Sequence, residues 1–305
     1  MHFTCSEEQL ALQDTLRRFM ARDYAFERRR AVARTEEGFS REAWARFAEL
    51  GLLALPFPEE YGGLGGTDVD LMLVMEQFGR GLVLEPYLTT VILAGGLVRD
   101  AGSAAQKQAL LPTISGGGLF MALAHYEPDI RYELNRVATT AHTDGGGYVL
   151  NGAKSVVVGG HAADKLLVSA RTDGGEQDVD GISLFLVDRG VAGLAVRGYP
   201  TQDGARASEV TLENVRVAEE AMVGPRGGAL AHIDRPRHGG ALRGGRRYHG
   251  GAERGNPRVP ENAQAVRAAD RTLPVAAAPH GGHGHRRRAV PLDDNLGRGS
   301  RGLAK

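Results

Sequence analysis

Apolar residues recur at helical spacing through about residue 118, alternate in twos from there to Val217, and lose every period after Arg235. A helix that buries one face needs apolar side chains three and four residues apart; a half-buried strand needs them every second residue. The chain therefore reads as α+β and multidomain. An all-α unit spans residues 1–118 and an antiparallel β-barrel or sandwich spans 119–226. The stretch 227–305 starts as a further domain and runs into a tail with no burial pattern.

The punctuation supports this division. Ser6-Glu7-Glu8-Gln9 has the form of a capping box, followed by Leu12, Leu16, Phe19 and Met20 on one face. Ser40 can cap a second helix that buries Trp44 and Phe47. Thr67 and Asp70 open a third, carrying Leu71, Val74, Met75 and Phe78. Between them, Pro58-Glu59-Glu60-Tyr61-Gly62-Gly63-Leu64-Gly65-Gly66 excludes a helix. Ser103 to Ile114 is again helical and ends at Gly116. In the second unit, Gly147 to Leu150 runs into Asn151-Gly152, which predicts a hairpin turn. Val156 to Val158, Leu166 to Val168 and Ile182 to Val187 read as short strands. Ser208 to Val217 reads as another, with a turn at Asn214.

The net charge of zero conceals a split. From Pro236 onward there are 13 Arg, one Lys and 5 acidic residues, so the tail carries +9 and the remainder −9. The tail has no Phe, Trp, Ile, Met or Cys. Such a segment buries too little apolar surface to offset an ordering cost of roughly 1–2 kcal/mol per residue, and the expectation is disorder.

Several classes are excluded. Cys5 is the single cysteine, so neither an intrachain disulfide nor a Cys-based zinc site can form. No apolar run approaches the ~18 residues of a membrane span. Met1 to Ser6 lacks the features of a secretory leader, so the expected location is cytoplasmic. The sequence holds no Gly-x-Gly-x-x-Gly after a strand, no phosphate-binding Gly-Lys-Ser/Thr loop and no serine elbow. His280, His283 and His285 lie in the tail, and no metal site is expected of them.

Four motifs in fixed order resemble the acyl-CoA dehydrogenase family over roughly residues 3 to 233. They are the Pro58–Gly65 loop, Ala124-His125-Tyr126-Glu127-Pro128 (similar to a Thr-Glu-Pro segment), Asn151-Gly152-Ala153-Lys154, and the strand Val210 to Val217 with Val223-Gly224 as the exit to C-terminal helices. The N-terminal half is similar to the small subunits of pimeloyl-CoA dehydrogenase-type enzymes. The resemblance implies FAD as cofactor and α,β-dehydrogenation of an acyl-CoA thioester, in fatty or dicarboxylic acid metabolism. A glutamate takes the α-proton while the flavin takes the β-hydrogen as hydride, with hydrogen bonds polarising the thioester carbonyl. It also implies a homo- or hetero-oligomer with another such subunit, and an electron-transfer flavoprotein as one candidate acceptor.

The resemblance places cofactor contacts at Leu123, His125, Tyr126, Val156 and Val158, and a substrate contact at Tyr132. The departures sit in the same places. Tyr126 stands where the family has Thr, Asp129 to Glu133 replaces Gly-x-Gly-Ser-Asp, and Val156-Val157-Val158 replaces Trp-Ile-Thr. In the family that last Thr hydroxyl contacts flavin N5; Val158 offers only its main chain. Plainer readings stand beside these. Glu127-Pro128 also fits an ordinary strand-start turn, His125 and Tyr126 also fit packing or solvent-facing roles, and the Glu59–Gly66 loop also fits a plain connector.

The tail has its own explanation. Read one nucleotide later, Pro257 to Ala268 (PRVPENAQAVRA) permits Leu-Glu-Tyr-Leu-Lys-Thr-Arg-Lys-Gln-Phe-Gly. The next codons permit x-Pro-Ile-Gly-x-Phe-Gln-x-x-Gln-His-Arg-x-Ala-Asp-Met. This string resembles the family's C-terminal helices, whose Arg and Gln contact FAD across a subunit interface. The expectation is a frameshift near Arg235 that replaces the C-terminal helical domain, and with it the family's glutamate, by an out-of-frame tail. No catalytic residue is therefore assigned, and the chain as given is expected to be inactive. Two alternatives remain: a non-catalytic partner subunit, and an Arg/Gly-tail nucleic-acid binder, which the scarcity of tail aromatics disfavours. Sequencing the DNA from about codon 225 past the stop is expected to show the family's helices in the neighbouring frame; a neighbouring frame closed by stop codons would refute the frameshift.

Overall fold

The computed structural model describes residues 5–128, 130 and 133–234. The predicted tail, and Tyr132 with it, lies outside the described residues.

Helix α1 (Glu7–Asp23) starts at the predicted capping box, Ser6 and Gln9 each bonding the other's main-chain N–H. A second helix, α2 (Phe26–Ala33), was not legible, because it buries no residue and so has no apolar stripe. Helix α3 (Arg41–Glu49) is capped by Ser40 and buries Ala43, Trp44 and Phe47. Helix α4 (Asp68–Gly81) is capped by Thr67 with Asp70 and buries Leu71, Val74 and Phe78. The Gln9 amide reaches Asp70 at 2.9 Å and ties the starts of α1 and α4 together. Inside, Phe47 meets Phe19 at 5.8 Å edge-on and stacks on Phe78 at 4.7 Å, and Phe78 meets Tyr87 at 5.0 Å.

The Pro58–Gly66 loop contains no α-helix, as expected, but it does hold a single 3-10 turn at Glu59–Tyr61. Gly63 is required there, since a Cβ would come within 1.9 Å of the Phe57 carbonyl oxygen. A π-helix follows at Leu88–Gly95, then α5 (Gly96–Ala101) and α6 (Ala104–Ser115). The π-helix escaped a reading by period because six of its eight residues are buried, leaving no polar face to set one.

The second unit is one eight-stranded sheet. Its strands are β1 (Met121–Ala124), β2 (Thr140–Asp144), β3 (Gly147–Lys154), β4 (Lys165–Arg171), β5 (Ile182–Asp188), β6 (Leu194–Pro200), β7 (Arg206–Ala218) and β8 (Met222–Val223). The order is β6-β7-β3-β2-β4-β5-β8, with β1 added beside β4. The sheet is mixed rather than purely antiparallel, since β1 runs parallel to β4. It folds over itself: Tyr148 of β3 and Phe185 of β5, not neighbours in the ladder, meet at 5.0 Å.

Three local expectations are corrected. The hairpin turn lies at Gly145-Gly146, both at positive φ, joining β2 to β3 with Asp144 opposite Gly147. Asn151-Gly152 instead lies inside β3 opposite a bulge: Leu150 pairs with Val215 but Gly152 with Leu212, which puts the extra residue on β7. The Asn151 side chain accepts from the Asn214 amide at 2.8 Å, and Asn214 (φ 52°) is the matching irregularity in an otherwise continuous β7. Val156 to Val158 form no strand and leave β3 as an irregular turn.

The units meet through aromatic and polar contacts. Trp44 lies 5.1 Å from Phe120 and donates to the Gly117 carbonyl at 3.0 Å. Thr90 of the π-helix donates to the Met121 carbonyl at 2.9 Å and accepts from its N–H at 3.2 Å, stitching that helix to β1. The last described element is the short helix α7 (Ala229–Ile233).

Gly152 has φ 151°, and a Cβ there would approach Thr139 Cα to 2.7 Å. Gly152→Ala is expected to lose about 1–3 kcal/mol of stability, read from urea midpoints at unchanged slope.

Candidate functional site

Two segments leave the sheet side by side: residues 125–128 after β1, and 155–158 after β3. The Ser155 amide donates to the Tyr126 carbonyl at 2.8 Å and locks them together. Val157 then exchanges both main-chain bonds with Ser208 of β7, at 2.9 and 3.0 Å. Between these anchors Val156 is forced to φ 53°, a left-handed conformation that a β-branched residue adopts only under constraint. Beside them Ser155 Oγ donates to Glu209 at 3.1 Å, and burial together with the Glu209 carboxylate raises the pKa of the neighbouring Tyr199 hydroxyl.

The result is a lip of exposed apolar surface. Tyr126, Val156 and Val158 are 40, 53 and 45% exposed. Among the described residues the Val158 N–H has no hydrogen-bond partner. A flavin ring needs a flat apolar face and a donor at its polar edge, and the lip provides both through apolar side chains and one main-chain N–H. No side-chain hydroxyl stands at residue 158, so the fit to FAD runs through main chain there.

The other proposed contacts are placed differently. Leu123 sits in β1 opposite Leu167, half-buried against the apolar cluster around Leu97 and Ile182. His125 is buried, its Nδ1 2.9 Å from Ser169 Oγ and its ring edge-on to the Tyr126 ring at 5.7 Å.

Beneath the lip lies a buried ion pair. Lys154, fully buried at the end of β3, donates to Glu127 Oε1 at 2.6 Å, to Ser169 Oγ at 3.1 Å and to the His125 carbonyl at 3.4 Å. Glu127 also accepts from the amides of Ala138 and Thr139 at 2.7 and 3.0 Å. Burial alone would raise the Glu127 carboxyl; the Lys154 ammonium and the amide donors more than offset it, and its pKa falls below the usual range. Burial pulls Lys154 down, opposed by Glu127. Burial, with the Lys154 charge beside it, lowers His125 to about 4, so the ring is neutral at physiological pH.

Arg171, at the end of β4, holds the segment behind the pair. Its guanidinium donates to the carbonyls of Asn135, Glu176, Asp178 and Asp180 at 2.7–3.0 Å. Neither Ser169 nor Arg171 was singled out from the sequence. A signal existed for Lys154, since a lysine in an inward-facing strand position demands a buried partner, but reading Asn151-Gly152 as a turn concealed the strand's continuation.

Comparison with known proteins gives consistent matches. Residues 6–118 match the acyl-CoA dehydrogenase N-terminal domain, and residues 122–215 match the acyl-CoA dehydrogenase middle domain. Acyl-CoA dehydrogenase fadE12 of Mycobacterium bovis is 32% identical over 234 residues, covering 76% of this chain and 60% of that protein. The short-chain-specific acyl-CoA dehydrogenase of Clostridium acetobutylicum is 28% identical over 238 residues, covering 74% and 60%. The crystal structure of the ChsE4-ChsE5 complex from Mycobacterium tuberculosis superposes with a TM-score of 0.68 at 27% identity, over 77% of this chain and 60% of that one. The chain thus spans about 60% of the length of these curated relatives.

Removing one partner of a buried pair leaves the other charge uncompensated. Glu127→Gln is therefore expected to cost about 3–5 kcal/mol at neutral pH. Because the folded Glu127 pKa is depressed, the wild-type advantage is present above the ordinary carboxylate value of 4.5 and lost as pH falls through the lower folded value. Denaturation of both proteins at several pH values should show the gap closing toward acid; a gap independent of pH would refute the assignment.

Proposed function

Because this chain belongs to the acyl-CoA dehydrogenase family, we propose that its lip holds the isoalloxazine ring of FAD beside an acyl-CoA thioester, the arrangement used for α,β-dehydrogenation. The observation that carries this reading is the lip itself: two sheet exits locked together at Ser155 and Tyr126, a strained Val156, and a Val158 N–H with no partner among the described residues. When bound, flavin supplies the hydride acceptor. This chain's residues supply shape and position. Tyr126, Val156 and Val158 offer the apolar face, the Val158 N–H offers a donor, and the Lys154–Glu127 pair fixes the distance between the two exits. His125 and Leu123 act through main chain and packing. Tyr132, outside the described residues, is the proposed substrate contact. No catalytic base is assigned, and the chain alone is proposed to be inactive. The division at about 118 and 226, the out-of-frame tail and the cytoplasmic location belong to the same reading.

A second reading has its own support. The side-chain hydroxyl missing at Val158 weakens a flavin site, and the ChsE4-ChsE5 structure is a complex of two named subunits. A subunit with a weakened site of its own, paired with a second dehydrogenase subunit, accounts for both. In that assembly the chain's role is structural support.

FAD titration of the purified 305-residue chain, followed by flavin fluorescence, separates these readings. Saturable binding supports the first. Val158→Thr, which restores a hydroxyl at the ring edge, is expected to tighten it about tenfold, the worth of one hydrogen bond. A chain that binds no FAD in either form, yet co-purifies with a co-expressed dehydrogenase subunit, overturns the first reading in favour of the second.

A further inference from the structure

The polar groups under the lip form a one-way chain of hydrogen bonds. Lys154 is a donor only, so Ser169 Oγ, 3.1 Å away, must accept from it. That leaves the single Ser169 hydrogen for its other neighbour, His125 Nδ1, at 2.9 Å. Were Nδ1 the donor instead, the buried Ser169 hydrogen would have no acceptor among its described neighbours, so Nδ1 accepts and the imidazole hydrogen lies on Nε2. The main chain of Leu134, where the chain returns after Pro128, also faces the ring and favours its protonated form, against the larger effect of burial. Residue 125 is held at its main chain as well, since its carbonyl accepts from Lys154 at 3.4 Å.

We propose that His125 is a positioning residue for the lip, its neutral imidazole clamping the segment around Leu134 to strand β4 through Ser169 and thereby fixing Tyr126. The ring sits one residue before Tyr126, whose carbonyl receives the Ser155 amide, so a shift at residue 125 moves the joint between the two exits. An apolar side chain at 125 would fill the space but leave the Ser169 hydrogen without its acceptor. A buried donor left unmet is destabilising, because it gave up its bond to water and gained none in return. The charged groups facing the ring are Lys154 and Glu127, and both are tied into the same network. Arg171 grips the carbonyl of Asn135 from the other side, and Glu127 holds the amides of Ala138 and Thr139 further along, so His125 is the hold nearest Leu134 on the lip side.

The proposal rests on the flavin reading for its purpose but not for its geometry, and the test separates them. In the full chain, nitrogen NMR of labelled histidine should show His125 with its proton on Nε2 and no titration between pH 6 and 7. A proton on Nδ1, or titration in that window, overturns the clamp. Amide hydrogen exchange of residues 133–139 should speed up about fivefold in His125→Leu and in Ser169→Ala, for the loss of a hydrogen bond worth roughly 1 kcal/mol. Exchange of β4 should stay unchanged, and His125→Gln, which keeps an amide donor near the Nε2 position, should restore most of the protection. Unchanged exchange in both His125→Leu and Ser169→Ala overturns it. FAD affinity is the third arm. If the wild type binds FAD and His125→Leu binds it equally well, the positioning role falls; if the wild type binds none, the flavin reading falls and the exchange and tautomer results still decide the clamp.

Discussion

The pair Lys154–Glu127 is the constraint on which the rest of the site depends. Two charges taken from water are stable only when each remaining hydrogen and lone pair is met, and here they are met from four places in the chain. Lys154 ends β3, Glu127 follows β1, the amides of Ala138 and Thr139 precede β2, and Ser169 lies in the middle of β4. A buried pair is often no more stabilising than a hydrophobic pair of equal volume. What it provides here is register. Apolar strand residues tolerate small slips, whereas an ammonium that must reach a carboxylate at 2.6 Å does not. The bulge beside Asn151-Gly152 leaves this possible, because its extra residue falls on β7, so β3 runs on unbroken in parity and Lys154 faces inward with Tyr148 and Leu150.

The same bulge marks where the sequence was legible and where it was not. Capped helices with an apolar stripe, such as α1 and α4, could be read from Ser6–Gln9 and Thr67–Asp70, because caps and period report on the same local backbone. Helix α2 and the π-helix could not. One buries nothing and the other nearly everything, and a stripe is visible only between those extremes. Asn151-Gly152 carries the local chemistry of a hairpin, yet Gly145-Gly146 sits six residues earlier and takes the turn, which lets long-range pairing with β7 set the second signal opposite a bulge. The candidate site followed the same rule. Its motif residues were legible, but the inward turn of His125 and the part played by Ser169 depend on contacts 44 residues apart in sequence.

The lip and its foundation have diverged in kind. The foundation is complete: Lys154, Glu127, Ser169 and His125 all find partners. The lip offers apolar side chains and main chain where the family resemblance implies a hydroxyl. A site can lose a side-chain donor and keep its shape, because the shape is set by the backbone and by buried groups that the substitution does not touch. The strain at Val156 persists for that reason, held by the bonds of Ser155 and Ser208 irrespective of what occupies the lip.

From this follows a thermodynamic consequence of the proposed flavin role. The β unit presents one face of the ring from its own residues, preformed and without help. Any further contact has to come from another domain or another subunit. If a partner supplies it, cofactor binding and assembly are linked, since whatever binds only the assembled form stabilises that form by mass action. The coupling is reciprocal, so the cofactor tightens the assembly by the same factor as the assembly tightens the cofactor. On the proposed role, a weak lip on a rigid foundation would make flavin content depend on assembly, whereas a strong lip would make it independent.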